Sequence, residues 1–292
     1  MALCRTMIAS TGTIAAVALA TPAMAQGGCD RAQMQQLAET YVAAQSAGEG
    51  FRVPMGEWVQ YRENYALSSM THGGVLATAH EVDWYRAFID TQTCAIFVEL
   101  IVDDEESPWV LGTKISTRGG LVNRYDVVTS TTGDWLFDAS KTLEYAQSED
   151  WGVIPEGQRN TRAEIIAAAD SYLDKFNDPS VEVAWGLPCA RLEGGIYTGR
   201  GMPTDSCDVG VPSGVALVER DYIVDETIGG VAVRLRFGGP EGLPDAHIFR
   251  IENGLIRYVH TITNCQGQDN CGFPPFAEML EGNPDMQPEL AN

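Results

Sequence analysis

The sequence is short of histidine and of basic residues. Its 292 residues include only 4 histidines, and 19 lysines and arginines stand against 40 aspartates and glutamates. The formal net charge of −21 argues against nucleic acid and anionic membrane surfaces as partners, because both attract basic patches. A small molecule is the expected partner, and a homo-oligomer is left open.

Several catalytic motifs are also missing. The chain contains no GxSxG, HExxH or CxxC sequence, the signatures of a nucleophilic serine, a zinc protease and a redox or metal-binding cysteine pair. The segment GGPEG at 238–242 lacks the strand–helix context of a phosphate-binding loop. We therefore predict no cofactor and no metal.

Long apolar runs are absent after the first 25 residues. Residues 1–25 combine a basic start at Arg5, an apolar middle and Ala-Met-Ala before Gln26, which predicts a secretory signal peptide. No later segment is apolar over a length that could span a membrane. The expected location is secreted or periplasmic.

Cysteine usage agrees with export. Cys4 lies in the predicted signal peptide, and an even set remains: Cys29, Cys94, Cys189, Cys207, Cys265 and Cys271. In an oxidising compartment such a set predicts three disulfides, although six cysteines allow 15 pairings. Chain order and the internal repeat favour 29–94, 189–207 and 265–271. A metal site is the alternative, but the cysteines lack the usual ligand spacing.

The chain is internally duplicated. Residues 30–47 and 161–178 both have helical apolar spacing, and Thr161 with Glu164 predicts a capping box at the start of the second helix. Strand-like segments follow each helix, with LIVDD in the first half matching YIVDE in the second. The predicted divisions are a signal peptide (1–25), a first repeat (26–150), a linker (151–160), a second repeat (161–275) and a tail (276–292).

One hairpin carries two of the four histidines. In HIFRIENGLIRYVHT, residues 247–261, Asn253-Gly254 between apolar runs predicts a type I′ turn. A strict two-residue turn pairs His247 with His260 and Phe249 with Tyr258.

Strand side chains alternate between faces, so this register predicts that His247, His260, Phe249 and Tyr258 share one face. Asp245 falls on the same face, two residues before His247. Histidine titrates near neutral pH, so the predicted face suits general acid–base catalysis beside an aromatic surface. The alternative is a hydrogen-bonded histidine pair that only closes the core.

A second candidate is the RLEGG segment. Arg191 could clamp an oxyanion and Glu193 could act as a base, or the two could simply pair with each other. The first repeat has its own histidines, His72 and His80, so the sequence leaves open which repeat is active.

Each half resembles the SnoaL-like (nuclear transport factor 2-like) fold. The resemblance is to secreted tandem proteins of fungi and bacteria, and five segments carry it: PCARLEGG (188–195), CDVGVP (207–212), YIVDE (222–226), PDAHIFRIENG (244–254) and IRYVHTIT (256–263). It implies an α+β fold of two tandem curved antiparallel sheets, each packed on an N-terminal helix. It also implies cofactor-free acid–base enzymes, including lyases for lignin-type aromatic dimers, alongside non-catalytic binders.

The resulting hypothesis is a cofactor-independent lyase or isomerase for a small, apolar, aromatic substrate. The predicted catalytic residues are His247, His260, Asp245, Tyr258 and Glu193, and the predicted substrate-binding residues are Phe249, Arg191, Trp185 and Tyr222. The alternatives are an exported small-molecule binding protein, and an interaction module in which packing fills both cavities.

Overall fold

A computed structural model describes residues 29–282 of the chain. The predicted signal peptide and the last ten residues of the predicted tail lie outside the described residues. The first half forms one helix, six strands and a second helix: α1 (Arg31–Ala47), β1 (Met55–Glu63), β2 (Ala66–Leu67), β3 (Trp84–Asp90), β4 (Ala95–Val102), β5 (Trp109–Arg118), β6 (Leu121–Ser130) and α2 (Ala139–Ser148).

The second half repeats the helix and the six strands. Its elements are α3 (Arg162–Lys175), β7 (Trp185–Glu193), β8 (Ile196–Tyr197), β9 (Leu217–Asp225), β10 (Gly230–Phe237), β11 (Leu243–Glu252), β12 (Leu255–Thr263) and α4 (Phe276–Gly282).

The two sheets have the same strand order. The first runs β2-β1-β6-β5-β4-β3 and the second runs β8-β7-β12-β11-β10-β9. This shared topology confirms the predicted tandem α+β architecture. The sheets are mixed rather than wholly antiparallel, because β1 lies parallel to β6 and β7 lies parallel to β12. The intervening strands provide the long crossover that a parallel pair requires.

N-terminal capping residues fix the positions at which the two repeat helices, α1 and α3, begin. The Asp30 side chain accepts a hydrogen bond from the Gln33 backbone N–H, and Thr161 with Glu164 forms the predicted capping box. Each helix then packs on its own sheet, and each contributes a buried tyrosine to the core, Tyr41 in α1 and Tyr172 in α3. Helix α2 was not predicted from the sequence.

The opposite faces of the two sheets pack against each other. Apolar side chains from both halves form a shared core there, including Phe88 and Phe97 from the first sheet and Ile248 and Ile262 from the second. The halves therefore form one packed unit with three apolar cores.

One ion pair joins each repeat helix to the other repeat. Arg31, the first residue of α1, donates two hydrogen bonds of 2.7 and 2.8 Å to Asp225 at the end of β9. Asp225 is fully buried and also accepts from the Ile89 backbone N–H at 3.0 Å. Arg162, the first residue of α3, makes the equivalent bond to Asp90 at 2.7 Å. The ion pairs thus follow the internal pseudo-symmetry.

Replacing Asp225 by alanine is expected to lower the free energy of unfolding by about 3 kcal/mol, because it leaves Arg31 and two backbone N–H groups without their acceptor. Urea unfolding measures this loss. The matched control is Glu144→Ala, which removes an exposed ion pair with Lys141 and should cost at most about 1 kcal/mol. Equal losses in both variants contradict the role assigned to Asp225.

The favoured disulfide pairing is confirmed. Cys29 is bonded to Cys94, and the other two bonds join 189 to 207 and 265 to 271. Within residues 29–282, no helix has the length and apolar character needed to cross a membrane.

The Asn-Gly turn is confirmed, but the register beyond it is not. Asn253 and Gly254 both have positive φ, and Ile251 pairs with Ile256 as predicted. Beyond that pair, β12 contains a bulge at Arg257, so that Arg250 pairs with Tyr258 rather than with Arg257. A one-residue shift moves every later side chain of β12 to the other face of the sheet.

The bulge recurs in the first repeat. There β6 skips Asn123, because Thr117 pairs with Val122 and Ser116 pairs with Arg124. Thr113 therefore lies opposite Val127 and not, as a strict register predicts, opposite Asp126. Both hairpins share this irregularity, so it is a feature of the repeat.

Candidate functional site

A cavity of about 220 Å³ lies in the second repeat, between its sheet, the segment 209–212 and the C-terminal part of the described chain. For comparison, cavities of about 150 Å³ can hold benzene. The lining residues are Trp135, Leu136, Phe176, Arg191, Glu193, Ile196, Thr198, Val209, Gly210, Val211, Pro212, Phe237, Asp245, His247, Thr261, Thr263, Cys271, Phe273 and Met279. Most of these side chains are apolar, and four of the predicted site residues are among them.

Asp245 and His247 form a hydrogen-bonded pair in the wall of this cavity. The distance from His247 Nδ1 to Asp245 Oδ1 is 2.7 Å, and the Thr263 hydroxyl donates to Asp245 Oδ2 at 2.7 Å. An ionised carboxylate only accepts hydrogen bonds, so Nδ1 donates to Asp245, and in the neutral imidazole Nε2 carries the lone pair. Among the described residues, no group hydrogen-bonds Nε2. The pair can therefore act as a base.

Aromatic rings fix the plane of the His247 imidazole. Phe249 stacks on it with ring centroids 6.1 Å apart, and the rings of Tyr172 and Phe176 lie 5.7 and 6.0 Å from it. His247 is only 2% exposed. This packing leaves little rotational freedom, so a base at this position is preorganised.

Arg191 and Glu193 lie on β7, which pairs with β12 beside the cavity. Arg191 Nε donates to Glu193 Oε1 at 2.9 Å, and Nη2 donates to the same oxygen. Its Nη1 donates to the carbonyl oxygens of Cys207, at 3.4 Å, and Val209. Arg191 is thus largely occupied by the protein, whereas Glu193 Oε2 has no hydrogen bond among the described residues.

Burial and neighbouring charges shift the pKa values of the groups around the cavity. Burial alone would lower the pKa of Arg191, but the Glu193 carboxylate outweighs this and raises the pKa, so the guanidinium stays charged. Burial raises the pKa of Tyr172, and its phenol stays protonated at neutral pH.

The bulge at Arg257 overturns the prediction for His260 and Tyr258. His260 pairs with Ile248, and Tyr258 pairs with Arg250, so both lie on the face of the sheet that packs against the first repeat. His247 instead pairs with Thr261 and faces the cavity. The two imidazoles lie on opposite sides of the sheet, and the predicted paired-histidine site is wrong.

His260 belongs to a buried ionic network between the repeats. Its Nδ1 lies 2.7 Å from Glu99 Oε1, and its Nε2 lies 2.7 Å from Glu149 Oε2. Burial alone would lower the pKa of His260, but the two carboxylates outweigh it and raise the pKa to about 9. Trp151 contacts this imidazole edge-on at 5.7 Å. These contacts give His260 a structural role.

Three predicted substrate-binding residues lie behind the cavity wall or away from it. Phe249 is fully buried against His247, and Trp185 packs edge-on against Tyr172 at 5.4 Å. The Tyr222 hydroxyl donates to Asp170 at 2.6 Å. Of the predicted binding residues, only Arg191 lines the cavity.

Sequence reasoning missed other parts of the site. Behind the cavity wall, Tyr172 of α3 packs against the His247 ring, and its buried hydroxyl has no hydrogen-bond partner among residues 29–282. Trp135 and Phe273, whose rings lie 5.0 Å apart, line the cavity from the loop before α2 and from the C-terminal segment. Only the aromatic character of these residues could have indicated a binding role.

The described part of the first repeat has no counterpart of the Asp245–His247 pair. The shared register places Thr113 where the second repeat has His247, because Thr113 pairs with Val127 as His247 pairs with Thr261. The Tyr41 hydroxyl lies 2.6 Å from Thr113 Oγ1, and Tyr61 donates to Glu63. In the first core these side chains bond to each other, whereas the buried Tyr125 hydroxyl has no hydrogen-bond partner among the described residues. His72 is exposed and lies on a loop.

Within the described residues, no group of three or more histidine, cysteine, aspartate or glutamate side chains is arranged to hold a metal ion. A family model described as a domain of unknown function (DUF8021) matches residues 158–263. The matched region includes α3 and the six strands of the second repeat, and therefore the Asp245–His247 pair. No curated protein matches the chain.

Proposed function

We propose that the second repeat is a cofactor-independent lyase or isomerase that acts by general acid–base catalysis on a small, largely apolar molecule. The observation that carries the proposal is the Asp245–His247 pair, whose Nε2 is unpaired in the wall of a mostly apolar cavity. Glu193 supplies a second titratable group in the same cavity. A positioned group that can remove a proton and return it is what such a reaction requires.

In the proposed mechanism, His247 Nε2 removes a proton from an acidic C–H group of the substrate. The Asp245 carboxylate holds Nδ1–H and stabilises the imidazolium that forms. The imidazolium then returns the proton to another atom of the substrate, in an isomerisation, or to a departing group, in an elimination. The surrounding apolar walls strengthen these charge interactions because they keep bulk water away.

The cavity limits the size of the substrate. Its volume of about 220 Å³ suits one substituted aromatic ring rather than a dimer of two such rings. We propose a single-ring, lignin-derived unit as the substrate class. The helix-then-sheet order of each repeat supports a SnoaL-like assignment. Under this proposal the protein is exported, as the disulfides allow.

A non-catalytic binding protein is the second candidate. The observation that favours it is the cluster of aromatic rings in the cavity lining, Trp135, Phe237 and Phe273, which could hold an aromatic ligand without any chemistry. In that case His247 serves only as a hydrogen-bonding group for the ligand.

The two candidates are separated by 5-nitrobenzisoxazole, a neutral probe in which one benzene ring is fused to an isoxazole. The isoxazole ring opens to give a cyanophenolate when a base removes its carbon-bound proton. An enzyme is expected to accelerate this opening at the cavity, whereas a binding protein is expected only to gain stability. At 100 times the dissociation constant a probe stabilises the fold by about 2.7 kcal/mol, which is read as a rise in melting temperature.

The control variant is Thr261→Phe, which fills the cavity from β12. It should abolish both the rate enhancement and the thermal response. If the variant retains both, the response does not arise in this cavity and the proposal is contradicted.

A further inference from the structure

The charged groups of the cavity differ in how much hydrogen-bonding capacity they retain. Arg191 donates from Nε and Nη2 to Glu193 and from Nη1 to two carbonyl oxygens, so at most one of its five N–H groups is available to a ligand. Its side chain is 4% exposed. Arg191 is therefore a poor clamp for a ligand carboxylate.

The two carboxylates also differ. Both oxygens of Asp245 are engaged, one by His247 and the other by Thr263. Glu193 accepts both bonds from Arg191 on Oε1, and its Oε2 has no hydrogen bond within the described part of the chain. The Glu193 side chain is 19% exposed and lines the cavity. Its free oxygen is an acceptor for a donor on the ligand.

We propose that Glu193 makes this cavity selective for uncharged aromatic molecules that carry a hydroxyl group, and against aromatic carboxylates. The inference rests on the proposed function only in that it uses the same cavity; it does not require turnover. A ligand hydroxyl donates to Glu193 Oε2 and gains a charge-assisted hydrogen bond.

A ligand carboxylate meets the opposite situation. Apart from His247, the charged side chains of the cavity lining are two carboxylates, Glu193 and Asp245, and one guanidinium, Arg191, whose charge Glu193 already offsets. A buried anion needs a cationic or N–H partner to replace its water, and few such groups are free in this lining. Rejection of carboxylates follows from these two conditions.

Benzyl alcohol and benzoate test the selectivity, because they share one ring and differ in the group attached to it. Their affinities for the whole protein are measured at pH 7 by isothermal titration calorimetry. Hydrogen bonds to charged groups are worth about 1.5–3 kcal/mol, so benzyl alcohol is expected to bind on the order of 10- to 100-fold more tightly than benzoate.

Glu193→Gln is the informative variant. Glutamine retains an oxygen acceptor for Arg191 but removes the negative charge, so the preference should fall at least about tenfold, mainly through a gain in benzoate affinity. Glu193→Asp, which retains the charge, should keep the direction of the preference. The matched control is Glu182→Gln, an exposed position in the same repeat with the same change in net charge, and its preference should equal that of the wild type.

The outcomes separate this inference from the proposed function. Equal or tighter binding of benzoate by the wild-type protein overturns the selectivity and leaves acid–base chemistry intact. If Glu193→Gln keeps the preference for benzyl alcohol over benzoate, another group causes that preference, and the inference is overturned as well. Absence of binding by both probes contradicts the cavity as a binding site, and the selectivity with it.

Discussion

Replacing His247 by glutamine is expected to slow the opening of 5-nitrobenzisoxazole on the order of 10²–10⁴-fold, the usual contribution of a positioned general base. Glutamine can still donate a hydrogen bond to Asp245 but cannot accept a proton at neutral pH. The cavity keeps its apolar walls, so the affinity for the probe should change much less than the rate. Initial rates at several probe concentrations separate the two effects.

Two further variants sharpen this result. Asp245→Asn should also lower the rate, because an amide that donates to Nδ1 moves the imidazole proton to Nε2 and removes the lone pair that acts as the base. His72→Gln, at an exposed position of the first repeat, is the matched control and should leave the rate unchanged. If His247→Gln retains the full rate, the proposed base is wrong.

Replacing His260 by glutamine is expected to lower the free energy of unfolding by about 3–5 kcal/mol, the usual cost of breaking a buried ion pair by removing one partner. The change leaves Glu149 without its positive partner, while Glu99 keeps Arg86 at 3.3 Å. Adding Glu149→Gln should therefore recover part of the loss. Urea unfolding of both variants at pH 6 measures these differences.

The same network predicts how stability depends on pH. The pKa of His260 is raised from 6.5 to about 9 in the folded protein, so its contribution is complete below pH 6.5 and is lost as the pH rises to about 9. This corresponds to on the order of 3 kcal/mol. Although burial raises the pKa of Glu99, His260 and Arg86 lower it below 4.5, so its contribution is lost only at more acidic pH.

His260→Gln should therefore lack the fall in stability that the wild-type protein shows between pH 6.5 and 9. His80→Gln serves as the control, because His80 is a partly exposed histidine outside this network. A wild-type protein whose stability is constant over this range contradicts the network as described.

Local signals in the sequence were sufficient to predict several elements of the fold. The cap at Thr161, the turn at Asn253-Gly254 and the three disulfides all depend on residues close in the chain or on simple pairing order. Helix α2 was missed because its buried residues, Ala139, Thr142 and Ala146, are small and do not stand out as a core-forming apolar stripe.

The site was only partly predictable, because it depends on one bulged residue. Nothing in the local sequence distinguishes Arg257 as the unpaired residue of β12, and a strict register places His260 on the wrong face. The contacts that give His260 its role are also remote, since Glu99 and Glu149 lie 161 and 111 residues away in the chain. Asp245 and His247 lie two residues apart on one strand, so strand alternation alone placed them together.

The direct test of the account is a titration of the wild-type protein with benzyl alcohol, followed by nitrogen NMR of its four imidazoles. The account predicts that the resonances of His247, assigned with His247→Gln, move as the probe binds, while those of His260 stay in place. Movement of the His260 resonances with those of His247 unchanged would show that the ligand site lies on the other side of the sheet.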